Sequence, residues 1–259
     1  MASLGALVLT YNEEENITDC LDSIDWVEEI VVVDSYSEDD TVELAQQYTS
    51  KVYQREFDDF ASQRNFGLEK LESEWVLVVD ADERVTEELK EEVLDKLSNP
   101  QVEGYRVPRR NYFLGKWIKH CGWYPDYTLR LFKTAENSYS GLVHEGIELD
   151  GKVVELENDL IHYTYRNLDH YLDKMNHYTT LDAEKKYQAG VKKSLAYMLL
   201  RPVLEFIKKF FLKKGFLLGR QGLILSIFSF YYQFQKYVKL WEKYEVEPGS
   251  DSNEEDTIS

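Results

Sequence analysis

The sequence has 259 residues, 43% of them hydrophobic, and a formal net charge of −18, enough to bury a sizeable core in one domain or one domain plus an appendage. Acidity of that size argues against nucleic acid as a partner. The charge is split, however: Lys185 to Lys243 holds 13 basic residues and 2 glutamates, leaving 17 basic and 46 acidic residues elsewhere, so only this segment suits an anionic surface.

The first hundred residues alternate between strand and helix patterns. Leu4 to Thr10 reads as a first strand, and with no basic segment before it the N-terminus does not read as a signal peptide. A helix is expected near Glu14 to Ile24, a strand over Glu29 to Asp34, and a helix from an N-cap at Ser37 to about Tyr48. K-V-Y-Q-R-E reads as a short strand, Phe60 to Leu71 as a helix, Trp75 to Val79 as a strand, and Thr86 to Leu97 as a helix before Asn99-Pro100. This alternation predicts a parallel sheet with helices on its faces, and runs such as I-V-V-V and W-V-L-V-V fit strands buried on both sides. From Val102 to about Tyr165 short strands dominate (G-Y-R-V-P, Y-T-L-R-L-F, K-V-V-E-L, L-I-H-Y-T), as in a mixed or antiparallel extension. Beyond Asn167 the pattern is helical, and 247–259 is polar, acidic and expected to be disordered. Cys20 and Cys121 lack metal-ligand spacing and read as two reduced thiols.

In open α/β sheets ligands bind outside the carboxyl ends of the strands. Three strand ends carry polar clusters: Thr10-Tyr11-Asn12-Glu13, Asp34-Ser35-Tyr36-Ser37 and Asp80-Ala81-Asp82-Glu83. No glycine-rich dinucleotide fingerprint follows the first strand and no P-loop occurs. In extended backbone Asp80 and Asp82 would point to one side and converge, giving two hard oxygen donors suited to Mg²⁺ or Mn²⁺ with substrate phosphates completing the shell. The competing reading makes Asp82 or Glu83 a charge at the next helix's N-terminus.

L-T-Y-N-E-E-E-N-I, V-V-D-S-Y-S-E-D-D-T and V-V-D-A-D-E, taken in order, resemble the family 2 glycosyltransferases of GT-A fold. G-W-Y-P-D-Y-T-L-R-L-F and V-H-E are similar to the WaaE-like branch that includes lipopolysaccharide core glucosyltransferases, and the resemblance spans roughly Leu4 to Tyr178. It implies a GT-A (Rossmann-like) α/β catalytic domain, a mixed sheet flanked by helices, over 1–165, followed by a helical region over 166–246. It also implies roles. Thr10, Tyr11, Asn12 and Glu13 would line the nucleotide pocket, Asp34 would bind base or ribose, and Gln63, Arg64, Asp80 and Ala81 would complete the donor site, with Arg64 facing diphosphate. Asp82 would be the main ligand of a divalent metal, joined by His144. Asp126 is the first choice for the base that takes the acceptor proton, with Glu145 as the alternative; Pro125 departs from the acidic pair usual at this point. His120, His162, His170 and His177 read as structural, with His162 a satisfied polar group in an alternating strand.

In the tail, Lys208, Lys209, Lys213 and Lys214 interleave with Phe206, Ile207, Phe210, Phe211 and Leu212, the composition of a helix lying in a membrane interface over 195–240. Gly215, Gly219 and Gly222 would separate it from the next helix. The alternative is packing on the catalytic domain or in a homo-oligomer. The combined expectation is an inverting, metal-dependent transferase, peripheral on the inner face of the cell membrane, moving a hexose (glucose first) from a UDP-sugar to a lipid-linked saccharide. A nucleotidyltransferase acting on a sugar phosphate and a non-catalytic nucleotide-sugar-binding module are the competing classes.

Overall fold

The computed structural model describes residues 2–134, 139–140, 146–147, 149, 151–165 and 167–245. The chain forms two compact units, Met1–Tyr112 with Trp123–Thr164, and Phe113–Gly122 with Tyr165–Ser259. The stretch 113–122 thus joins the helical unit, although it lies within the segment expected to be catalytic.

The first unit opens with β1 (Leu4–Thr10), α1 (Ile17–Asp22), β2 (Glu29–Asp34), α2 (Thr41–Ala45), β3 (Val52–Gln54), α3 (Phe60–Leu68) and β4 (Trp75–Asp80). A short strand β5 (Glu83–Val85) comes next, then α4 (Glu87–Ser98) and the long β6 (Gly104–Phe113), whose last residue enters the second unit. β7 (Lys116–Trp117) belongs to the second unit, while β8 (Tyr127–Lys133), β9 (Tyr139–Ser140), β10 (Gly146–Ile147), β11 (Val153–Glu155) and β12 (Leu160–His162) complete the first. β3, β2, β1 and β4 run parallel; β8 is antiparallel to β4 and to β6, β12 is parallel to β6, and β5 is antiparallel to β12. The mixed α/β architecture is therefore the one expected.

Strand alternation builds two apolar layers. Leu4, Ala6 and Val8 of β1, with Trp75, Leu77 and Val79 of β4, face the layer that holds Ile17 and Leu21 of α1 and Leu89 and Val93 of α4. Leu7, Val76 and Val78 face the other, against Ala61 and Leu68 of α3. Gly67 lets α3 approach closely, since a Cβ there would stand 2.3 Å from Leu7 Cδ1.

α1, α2 and α3 are shorter than the periodicity predicts. α1 begins at Ile17 because Glu13 to Asn16 form a turn, and α2 begins after Asp40, so Ser37 is not its N-cap. Ser37 is instead drawn into bonds with Asp34 and Asn12. Thr86 does cap α4, accepting from Leu89 N–H at 3.2 Å.

The second unit contains α5 (Leu168–Gln188), capped by Asn167, α6 (Leu195–Ile207), a π turn (Lys208–Leu212), a 3₁₀ turn (Gly215–Leu218) and α7 (Arg220–Glu245). The interleaved Lys/Phe stretch is thus a π turn and not a straight amphipathic helix. Lys214 is left-handed (φ 55°) and ends it. Gly222 lies inside α7 and not at a break: a Cβ there would meet Gly215 O at 1.8 Å, so it is a close-packing point. Residues 113–122 are strapped to these turns by Cys121 N–H to Lys213 O (2.9 Å), Lys209 Nζ to Cys121 O (2.8 Å) and Lys116 Nζ to Leu218 O (2.8 Å).

Candidate active site

Because β1, β2 and β4 are parallel and in register, with Thr10 opposite Asp34 and Leu9 opposite Asp80, the three polar strand ends lie along one edge of the sheet. The first two are sewn together. Asn12 N–H donates to Ser37 Oγ, Glu38 N–H to Asn12 Oδ1 and Glu13 N–H to Thr41 Oγ1, each at 2.8 Å. Asn12 and Tyr36 adopt left-handed backbone (φ 52° and 60°), which turns the chain sharply at both ends and leaves Tyr11 and Tyr36 exposed.

Asp34 is fully buried, and its carboxylate accepts from Ser37 N–H (2.9 Å), Ser37 Oγ (2.5 Å) and Gln54 Nε2 (3.2 Å). These bonds organise the loop that follows β2. Gln63 is also buried and ties α3 to the same loop, donating to Ser35 Oγ (3.1 Å) and Arg55 O (3.0 Å). Its Oε1 and the Thr10 hydroxyl are buried without a hydrogen-bond partner among the described residues.

At the third strand end the extended backbone presumed for Asp80 and Asp82 is absent. Ala81 and Asp82 form a turn between β4 and β5, so the i, i+2 rule for extended backbone does not apply. Asp80 turns to two guanidiniums, Arg130 at 2.5 Å and Arg64 at 3.3 Å. Burial opposes its charge, but Arg130 and then Arg64 outweigh that and hold its carboxyl well below the usual range. Arg64 reaches Asp80 from α3 with its guanidinium over the rings of Phe60 (5.7 Å) and Tyr139 (5.2 Å). Asp82 turns instead to His162, with Oδ2 at 3.4 Å from Nε2.

Glu83 is neither a helix cap nor a metal ligand. It is fully buried in β5, where Oε2 accepts Asp80 N–H (3.0 Å) and Oε1 meets Arg130 (2.6 Å) and Arg109 (3.6 Å). Arg109 continues to Asp126 Oδ2 at 2.6 Å, and Asn111 Nδ2 reaches the same oxygen at 3.1 Å. Asn111 Nδ2 also lies 3.3 Å from Trp123 O. With its amide nitrogen committed to acceptors, Asn111 presents Oδ1 to His162 Nδ1 at 2.6 Å. His162 Nδ1 is therefore the protonated nitrogen of that bond, which leaves Nε2 facing Asp82.

Strand register explains this relay. His162 stands opposite Asn111 of β6 on one side and Glu83 of β5 on the other, and Arg109 N–H bonds Asp126 O (3.0 Å) where β8 begins. The arrangement thus joins two oxygen-bearing ends, Asp82 with His162 and Asp126 with Arg109, through one amide. Both bonds to Asp126 land on Oδ2, and no described donor bonds its Oδ1.

Among the described residues no group of three or more His, Cys, Asp or Glu gathers as a metal cluster. A carboxylate and an imidazole facing at 3.4 Å do form a two-ligand set compatible with a divalent cation whose other positions come from phosphate and water. His144 and Glu145, the expected second metal ligand and alternative base, lie outside the described residues. No motif in the sequence points to Glu83, Arg109, Asn111, Arg130 or His162 as site residues. Arg130 carried a usable signal, a charge inside the apolar run L-R-L of a sheet strand, which must be paired when buried.

Residues 6–145, more than half of the chain, match the family described as glycosyl transferase family 2. The chain is similar to the lipopolysaccharide core biosynthesis glycosyltransferase LpsC of Rhizobium meliloti (strain 1021), 29% identical over 255 residues covering 93% of each chain. It is also similar to an uncharacterized glycosyltransferase of Rickettsia felis, 25% identical over 256 residues covering 93% of this chain and 90% of that one. Among solved structures it resembles S. aureus TarS 1–349 in complex with UDP-GlcNAc, at 16% identity and a TM-score of 0.49, with 93% of this chain and 91% of that chain covered. The matched segment runs from β1 through the acidic turn and β8, and the chain belongs to glycosyl transferase family 2.

Proposed function

We propose that this glycosyltransferase moves a hexose, with glucose first, from a UDP-sugar to a lipid-linked saccharide such as lipopolysaccharide core, with inversion at the anomeric carbon. The observation that carries the reading is the Asn111 relay, which sets the Asp82–His162 pair and the Asp126 carboxylate on neighbouring strands. The acceptor class is supported by the likeness to LpsC along nearly the whole length of both chains.

Asp126 acts as the base. Arg109 and Asn111 fix its Oδ2, and Oδ1 takes the acceptor hydroxyl proton as that oxygen bonds to the anomeric carbon and the diphosphate leaves. Asp82 and His162 would hold a divalent cation, Mg²⁺ or Mn²⁺, which would supply Lewis-acid stabilisation of the departing diphosphate. The unpartnered Thr10 hydroxyl and Gln63 Oε1 are hydrogen-bonding points for the donor, and exposed Tyr11 and Tyr36 flank them. Arg130 and Arg64 hold Asp80 in place and so position the turn that carries Asp82.

No described helix is long and apolar enough to cross a membrane. The enzyme works as a peripheral protein at the inner face of the cell membrane, where a soluble nucleotide-sugar and a lipid-linked acceptor meet.

Donor hydrolysis without acceptor, run over a panel of nucleotide-sugars with Mn²⁺, tests the proposal. Release of UDP from a UDP-hexose is expected. Release of CMP or pyrophosphate in its place would overturn the assignment.

A further inference from the structure

α6 is inside out for a helix in water. Leu195, Leu199, Leu200, Val203, Leu204 and Ile207 recur at the spacing of one broad helix face, and all are exposed, Leu195 at 70% and Leu200 at 62%. The opposite face buries Met198, Pro202 and Glu205, the last paired with Arg201 (2.9 Å) and Lys208 (3.7 Å). The exposed apolar surface continues through Phe211 and Leu212 of the π turn and Phe216 and Leu217 of the 3₁₀ turn. On α7, Leu223, Ile227 and Tyr231, four residues apart, are exposed as well. Lys208, Lys213 and Lys214 are exposed in the same turns. Between Lys192 and Arg220 the chain holds eight basic residues and one acid.

We infer that this face of the helical unit docks on an anionic lipid bilayer, with α6 lying in the plane of the interface. Its leucines enter the acyl boundary and Lys208, Lys213 and Lys214 meet the phosphate headgroups. The assignment extends the peripheral location proposed above to a particular surface, and names residues other than the Lys/Phe alternation read from sequence. Charge selects the occupant. Lysines at the rim of an apolar face complement an anionic surface, whereas a two-fold contact with a second copy would press one basic cluster against another. Residues 247–259 are no alternative cover, since they include a single large apolar side chain, Ile258.

Flotation of the full chain with phosphatidylcholine vesicles, and with vesicles also containing phosphatidylglycerol, tests the inference. Wild type is expected to float with the anionic vesicles. Leu199→Gln/Leu200→Gln/Leu204→Gln should remove binding to both. Lys208→Gln/Lys213→Gln/Lys214→Gln should weaken partition on the anionic vesicles alone, by about a hundredfold at low salt. A nitroxide on Leu204→Cys, a milder change at one exposed position, should report burial in the acyl region. Wild type left in solution, a triple leucine variant that floats normally, or a label that stays aqueous would each overturn the inference. So would lipid-free dimers that the leucine substitutions dissociate, which would assign the face to a second copy. UDP release by the same preparations separates the two readings, since flotation without donor hydrolysis would leave the docking face standing and remove the enzymatic one.

Discussion

The sheet unit and the helical unit treat apolar side chains in opposite ways. Among described residues, the large hydrophobic side chains exposed on the sheet unit are all aromatic: Tyr11, Tyr36, Phe57, Phe60 and Tyr163. The helical unit exposes thirteen between Leu195 and Tyr231, most of them aliphatic, while burying Glu205 and Lys236. The sheet unit also buries charge, but as a chain of partners, Asp80–Arg130–Glu83–Arg109–Asp126, that ends at the candidate base. The difference teaches that one region is organised around paired polar groups, and the other around an apolar surface that water does not satisfy.

The sharpest way to break this comparison is at Asp82. Asp82→Asn removes a charge that faces His162 among the described residues, so it should keep the fold and lower transfer by about a thousandfold or more, measured as UDP release and as product formation. Near-normal turnover would return the acidic turn to a structural feature. Glu83→Ala should act on stability: it removes one of the two carboxylates that pair buried Arg130, the other being Asp80, and weakens Arg109, and should cost about 3 kcal/mol in denaturant unfolding. A smaller effect is expected for Asn111→Leu, which removes the bridge between Asp126 and His162. Loss of such an outer support should weaken Mn²⁺ binding and activity together by about 10- to 100-fold. An unchanged metal affinity would uncouple the two ends of the site.

The smallest and most general effect is the acid limb of stability. The folded Asp80 carboxyl lies below its ordinary value of about 4, so the unfolded chain binds the proton more readily. Its contribution is present above about pH 4 and fades as pH falls below it. Thermal unfolding of Asp80→Asn against wild type should show a stability gap that narrows on that limb. A gap that widens toward low pH would contradict the pairing.

The strands of the parallel half were legible because buried runs such as I-V-V-V and W-V-L-V-V end abruptly in polar clusters, and their register follows from parallel pairing. That brought out Thr10, Asp34, Asp80 and Asp82. Asp126 came from its place in W-Y-P-D-Y and the family resemblance. The relay was not legible, because Asn111 and His162 are 51 residues apart and meet only through the β6–β12 register. The turn at Ala81–Asp82 was hidden too, since one short apolar run followed by D-A-D-E does not announce that β5 begins at Glu83. In the tail, composition located the basic apolar segment, but only the packing of α6 shows that leucines face outward while Glu205 faces in.

Mn²⁺ titration in the presence of UDP, comparing wild type, His162→Gln and His144→Gln, tests the central claim most directly. The account predicts that His162→Gln loses Mn²⁺ affinity by about tenfold or more while remaining folded, and that His144→Gln binds as wild type does. Loss of binding in His144→Gln with His162→Gln unaffected would contradict it and place the metal end of the site elsewhere.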